Sequence, residues 1–374
     1  MGRNMPPPHN AIDDVPKWTW AAPVAASVLL AGKYSGLVPA DAGVVLILAA
    51  LLLGATVFAS VHHAEVIALR VGEPFGSIVL AVAVTVIEVA LIVSIMLSAK
   101  AGADVLARDT VFATVMLVLN GIVGLCLLLG GARHHEQSFQ TNAATAALSV
   151  LGTLAVITLV LPNYTLAYPG PQYAPSQLIF VGAVSIALYG VFLFVQTIRH
   201  RDYFLSEPAG ADEADDGHGP VPSAQTTRIS LVLLCLSLAA VVLLAKTLSP
   251  ALEAAIAAAG LPKAFVGVVI AAVVLLPEGV AAVRAARLNR LQTSLNLALG
   301  SAMATIGLTI PIAGGVVLML GRSLTLGLAP AETVLLLLTL FISTVTLATG
   351  RTTILQGAVH LVIFAVFLFL AAVP

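Results

Sequence analysis

Apolar residues in this chain come in long unbroken runs. They follow neither the every-second-residue alternation of a half-buried strand nor the narrow stripe of a surface helix. The runs fall near 19–37, 42–61, 75–99, 109–131, 142–162, 176–198, 229–248, 264–286, 292–320, 331–349 and 352–373. A helix of about 20 residues, rising 1.5 Å per residue, crosses the roughly 30 Å hydrocarbon core of a bilayer. A barrel strand would alternate outward apolar with inward polar residues, and none of these runs does. The pattern predicts an all-α polytopic membrane protein with about 11 transmembrane helices.

One long hydrophilic stretch, "RHRDYFLSEPAGADEADDGHGPVPSAQTTR" at 199–228, interrupts the series. It leaves one plus five helices before it and five after. The expected division is therefore an N-terminal tail and leading helix at 1–41, a first five-helix repeat at 42–200, an acidic cytoplasmic linker at 201–228, and a second five-helix repeat at 229–374. The start of the chain, "MGRNMPPPHNAIDDVPKW", reads as a short tail and not as a signal peptide. With the N-terminus inside, eleven Lys and Arg residues fall on the cytoplasmic side and six on the other. That bias favours a cytoplasmic N-terminus and an outside C-terminus. Each repeat has an odd number of helices, so the second enters the membrane upside down relative to the first, as in transporters built from inverted repeats.

Composition agrees. The chain is 59% hydrophobic and 9% charged, with a mean hydropathy of +1.05. A net charge of −1 without a basic cluster excludes a nucleic-acid partner. Both cysteines, Cys126 and Cys235, lie inside apolar runs, which supports neither a disulfide framework nor a thiolate metal site. The implied partners are the lipid bilayer and inorganic ions.

Two acids stand where only apolar residues are expected: Glu88 in "TVIEVALIVSIML" and Glu278 in "VVLLPEGVAAV". A charge at that depth costs roughly 3 kcal/mol on insertion scales, so an intramembrane acid marks a working site by default. Glu278 follows Glu88 by 190 residues, and the helices leading the two halves are offset by about 187, so the acids occupy equivalent places. Pro277 removes a backbone donor and frees carbonyls near residue 273 as oxygen ligands. Two carboxylates neutralise one divalent cation such as Ca²⁺, which takes six to eight oxygens. Once the cation leaves, repulsion between two carboxylates in a low dielectric draws in protons. Cation and proton then compete for the same oxygens, which is the chemistry of an antiporter. Glu88 and Glu278 are thus the candidate cation, metal and proton ligands.

Asn120, Asn296, Thr85 and Ser301 are candidate neutral ligands, Thr85 because it lies one helical turn from Glu88. Ser294 and Thr305 read as ordinary interhelical hydrogen-bonding residues. The histidines of "HH" at 62–63 and "RHHE" at 133–136 read as interfacial anchors, as do Arg284, Arg287 and Arg290. His360 alone makes no catalytic mechanism. With no HExxH, no pair of membrane aspartates and no serine–histidine arrangement at helical depth, an intramembrane enzyme is disfavoured. A cation channel is the other class of reading, set apart by whether flux needs counter-movement of protons.

The segments 85–97 and 277–311, the latter "PEGVAAVRAARLNRLQTSLNLALGSAMATIGLTIP", resemble the two alpha repeats of the ChaA-type calcium/proton antiporters of the cation/calcium exchanger superfamily. Those repeats map to about 72–131 and 264–320. The resemblance implies Ca²⁺/H⁺ exchange across a bacterial inner membrane, with Na⁺ or K⁺ as alternative cations and no cofactor, and it places the family's paired glutamates at Glu88 and Glu278. The wider family's Gly-Asn pair before each acid is replaced here by Val84-Thr85 and Val274-Leu275. Gly279 stands where that pattern has a histidine.

Overall fold

The computed structural model describes residues 16–39, 42–72, 75–97, 103–204 and 221–374. The N-terminal tail and most of the acidic linker, including Asp212, Glu213, Asp215, Asp216 and His218, lie outside the described residues. The chain is helical throughout: α1 (Lys17–Tyr34), α2 (Gly43–Val71), α3 (Phe75–Leu97), α4 (Ala103–Met116), α5 (Val123–His134), α6 (Thr141–Ala155), α7 (Pro175–Phe194), the short α8 (Arg201–Phe204), α9 (Ala224–Ala258), α10 (Phe265–Arg287), α11 (Leu291–Ala304), α12 (Ile310–Met319), α13 (Pro330–Leu347) and α14 (Ile354–Ala372). A π-helical turn at Leu117–Ile122 joins α4 to α5, and another at Thr305–Thr309 joins α11 to α12, so each pair forms one continuous rod. Further π-turns end α6 and α7.

Among the described residues nine helical rods are long and apolar enough to cross a membrane, and Val82–Ser94 of α3 is a shorter apolar stretch. The expected eleven crossings exceed these nine by α1 and α3. Large apolar side chains such as Phe180, Phe341 and Phe369 stand exposed.

Local chemistry sets the helix boundaries. Proline opens α7 and α13 with its backbone angle already helical. Gln177, Glu332 and Gln356 each reach back to accept from the backbone N–H three residues earlier, at 3.0, 3.0 and 2.9 Å. Gly72, at φ 75°, closes α2 in a conformation that costs glycine little.

The chain forms two compact units, each drawing helices from both halves of the sequence. The first holds residues 1–83 and 213–248. In it α1 and α2 pack together, with Ala26, Leu30 and Ala49 of this hairpin closing on Ala240 and Leu244 of α9. His63 is fully buried there, its Nε2 3.1 Å from the Thr19 carbonyl and its Nδ1 3.3 Å from the Ser230 hydroxyl. This histidine is a structural tie within the unit.

The second unit holds residues 84–212 and 249–374, and its core runs through α4, α5, α6, α10, α11 and α14. Its two ends are laced across the halves. At one end β1 (Gln137–Ser138) pairs antiparallel with β2 (Arg351–Thr352). There Gln137 Nε2 donates to the Ala286 carbonyl at 2.8 Å, and His134 Nε2 lies 3.0 Å from the Arg287 carbonyl. At the other end the segment after α12 is pinned by Leu326 N to the Pro171 carbonyl, Leu328 N to the Leu159 carbonyl and Thr325 N to the Asp104 carbonyl. Helix α14 lies so close to α5 that a Cβ on Gly357 would meet the Leu128 backbone nitrogen at 2.4 Å, so only glycine fits.

Candidate cation site

Glu88 lies on α3, and the Glu88 side chain, 3% exposed, points into the second unit. A long apolar helix with a single acid can bury that acid only if a neighbouring helix supplies polar groups. Thr305, the first residue of the π-turn between α11 and α12, does so, its hydroxyl donating to Glu88 Oε2 at 2.5 Å. Thr114 of α4 is a second polar neighbour of this carboxylate. Among the described residues Glu88 Oε1 has no hydrogen-bond partner. Thr85 is buried one turn before Glu88.

A carboxylate in the first half is therefore bonded to a hydroxyl in the second. The spacing shows why: Thr114 follows Glu88 by 26 residues, and Thr305 follows Glu278 by 27. The two threonines hold nearly equivalent places in the two repeats, as do the two π-turns, which begin 29 residues after Glu88 and 27 after Glu278. A π-turn widens the helix by one residue and leaves local carbonyls less regularly bonded, a feature concentrated at functional sites.

Glu278 lies within α10, directly after Pro277, and is half-buried, with both carboxylate oxygens shielded from solvent. Helix α10 runs beside the α4–α5 rod. A Cβ on Gly267 would lie 3.1 Å from Asp109 and Thr110, and one on Gly279 would lie 3.3 Å from Ile122. Equal steps along both helices mean they run parallel, which sets Glu278 level with the Leu117–Ile122 turn. Both acids thus border the same rod, Glu88 at Thr114 and Glu278 close to Ile122. Gly279, where the wider pattern has histidine, permits this approach.

The other candidates are placed differently. Asn120 is fully buried in the Leu117–Ile122 turn, and its amide is engaged by the helices α13 and α14. Its Nδ2 donates to Thr339 Oγ1 at 2.9 Å, and its Oδ1 lies 3.1 Å from His360 Nδ1, while His360 Nε2 lies 3.2 Å from Thr346 Oγ1. Asn296 sits near the start of α11, accepting from Gln292 at 2.9 Å and donating to the Phe204 carbonyl at 2.5 Å. Ser301 is half-buried on α11. The structure thus joins Glu88 with Thr305 and Thr114, and gathers Asn120 with His360, Thr339 and Thr346 in a second polar cluster.

Two of these residues escaped the sequence reading. Thr305 read as an ordinary interhelical residue, although its position 27 residues after Glu278 marks it as the counterpart of Thr114. His360 stands alone in the sequence. Its partner Asn120 is 240 residues away, and no local pattern links them. Among the described residues, no group of three or more His, Cys, Asp or Glu side chains is arranged to hold a metal, so "HH" and "RHHE" form no chelating centre. The site is one of a few carboxylates and many hydroxyl and carbonyl oxygens, a donor set suited to hard cations.

Comparison with known proteins identifies the family. The family described as sodium/calcium exchanger protein matches residues 42–198 and 229–373, that is, both repeats on either side of the linker. The chain is 56% identical over 363 residues to the putative ionic transporter y4hA of Sinorhizobium fredii, covering 96% of this chain and 97% of that one. It is 37% identical over 311 residues to the sodium-potassium/proton antiporter ChaA of Escherichia coli, covering 83% and 84%. In three dimensions it is similar to the crystal structure of the Ca²⁺/H⁺ antiporter YfkE, with a TM-score of 0.70 at 15% identity over 96% of this chain and 98% of that one. These relatives are transporters rather than enzymes, and the chain is an integral membrane protein that belongs to the sodium/calcium exchanger family of cation transporters.

Proposed function

We propose that the protein is a secondary antiporter exchanging Ca²⁺ for H⁺ by alternating access, with Glu88 and Glu278 binding cation and protons in turn. The observation that carries this reading is the bond between Glu88 and Thr305, which joins the two halves at the π-turn equivalent to the one beside Glu278. Two carboxylates neutralise one divalent ion, and the Thr305, Thr114 and Thr85 hydroxyls and freed main-chain carbonyls add oxygens. When the ion leaves, each acid takes a proton and the site becomes neutral. An empty, doubly charged site would be held back by the cost of carrying charge through the low dielectric, so exchange is obligatory. Asn120 holds the π-turn beside Glu278 in shape, and Asn296 and Ser301 on α11 remain candidate oxygen donors. The arginine-bearing end, with Arg133, Arg284, Arg287 and Arg351, faces the cytoplasm, in a bacterial inner membrane with the N-terminus inside.

A second reading, Na⁺ or K⁺ exchange for H⁺ on the same fold, is favoured by the 37% identity to ChaA, whose name is sodium-potassium/proton antiporter. Purified protein in liposomes, offered Ca²⁺, Na⁺ or K⁺ under an imposed pH gradient, separates the two. Proton movement driven by Ca²⁺ alone supports the first reading, and movement driven only by Na⁺ or K⁺ supports the second. Cation flux without proton movement would make the protein a channel.

A further inference from the structure

A groove of about 660 Å³ runs along the outside of the second unit between α10 and the α4–α5 rod. Its walls are apolar: Leu117 and Leu125 on one side, Leu276 and Val280 on the other. Leu276 is 48% exposed and Val280 53%, so nothing in the described unit covers them. One end of the groove changes character abruptly. Arg133 at the end of α5 and Arg284 and Arg287 at the end of α10 line it, all three exposed. Among the described residues no carboxylate forms an ion pair with any of them. The helix ends they occupy are tied together by the contact of His134 with the Arg287 carbonyl, which keeps the three arginines at one end of the groove.

We propose that this groove is a binding site for an anionic phospholipid, its phosphate held by Arg133, Arg284 and Arg287 and an acyl chain laid along the Leu/Val wall. Three features select this occupant. A cluster of three arginines with no acidic partner among the described residues complements a phosphate, which guanidinium groups grip with paired hydrogen bonds. The apolar wall then continues from Arg287 to Ala272, 15 residues or about 22 Å of helix, about the depth from headgroup to midplane of one leaflet. A soluble phosphate would use the arginines and leave the wall bare. The groove also reaches Gly279, the neighbour of Glu278, so a lipid seated there packs against the segment of α10 that carries the acid. This site is independent of which cation is exchanged.

The test uses full-length protein with Leu276→Trp in a Trp18→Phe/Trp20→Phe background, reconstituted with brominated phosphatidylglycerol or brominated phosphatidylcholine at equal mole fraction. The expected result is stronger quenching by the anionic lipid, a preference lost in Arg133→Gln/Arg284→Gln/Arg287→Gln and unaffected by excess inorganic phosphate. Equal quenching by the two lipids would mean ordinary bulk contact, and quenching by neither would mean that another part of the chain covers the groove. Either result overturns the proposal, as does a preference that survives loss of the arginines or is displaced by free phosphate. If Leu276→Trp fails to fold, Val280→Trp reports from the same wall.

Discussion

Around Glu88 the helix runs on without a break. Ile87 precedes the acid, threonines from two other helices surround it, and the side chain is buried. Around Glu278 the helix is interrupted chemically: Pro277 stands before it, Gly279 after it, and the residue is half-buried beside an apolar groove. Equivalent positions in two repeats thus carry the same acid in different settings. The second half supplies both a side-chain hydroxyl, Thr305, to the first half's acid and a break in its own ladder, since Pro277 cannot donate to the carbonyl four residues earlier. The comparison teaches that near-symmetry fixes where the acids sit, while departures from it decide what each acid can touch. Both acids are needed if they share one ion, and the asymmetry matters only to how tightly each holds it.

The largest expected effect tests that equivalence. Glu88→Gln and Glu278→Gln should each abolish proton-coupled cation exchange per folded molecule, and each should be as damaging as the double variant, because one remaining charge cannot neutralise a divalent ion. Glu136→Gln, at an exposed ion pair, should leave exchange intact. Liposome assays on equal amounts of folded protein decide the matter, and near-normal exchange by either membrane variant would end the shared-site mechanism.

Next in size is the polar cluster that ties the first half's π-turn to α13 and α14. Asn120→Leu or His360→Leu leaves buried polar partners unsatisfied and should cost about 1–3 kcal/mol, read as a lower unfolding temperature in detergent. The double variant should cost less than the sum of the two, since each single change already strands the other residue. Full additivity would show that the two side chains do not depend on one another.

An effect of comparable size is expected at Thr305→Val, which removes the cross-half bond to Glu88. Hydrogen bonds to charged groups are worth about 1.5–3 kcal/mol, so apparent cation affinity should fall by about tenfold or more, with Thr305→Ser restoring most of it. Unchanged affinity would leave the bond with a purely structural role. The smallest effect belongs to Arg351→Gln. Its pair with Glu136 is solvent-exposed, and stability should change by less than about 1 kcal/mol in a thermal melt.

The helical class, the two halves and the two acids were readable because each rests on a one-dimensional signal: apolar run length, a hydrophilic gap, a charge out of place. Glu88 and Glu278 announced themselves by cost. The π-turns did not, since one extra residue in a helix leaves no pattern in "LVLNGI" or "TIGLT". Depth alone marks Asn120 as a candidate ligand. Its hydrogen-bond partners, His360 and Thr339, come from helices more than 200 residues later, which depth does not reveal. The division into two compact units was invisible for a related reason. Repeats that pack into one another do not keep their sequence neighbours as spatial ones.

The β1–β2 ladder bears on how the molecule is made. Gln137 finds its partner only when Thr352 emerges from the ribosome, and the Leu128 surface of α5 is sealed only by Gly357 of α14. Translation at about 5–20 residues per second puts these closures on the order of ten seconds or more after the first half has been synthesised. Throughout that interval the first half waits in the bilayer with Asn120 unmatched. A nascent chain stalled before α14 would therefore display an open polar seam, a mark by which membrane proteases could tell an unfinished copy from a finished one.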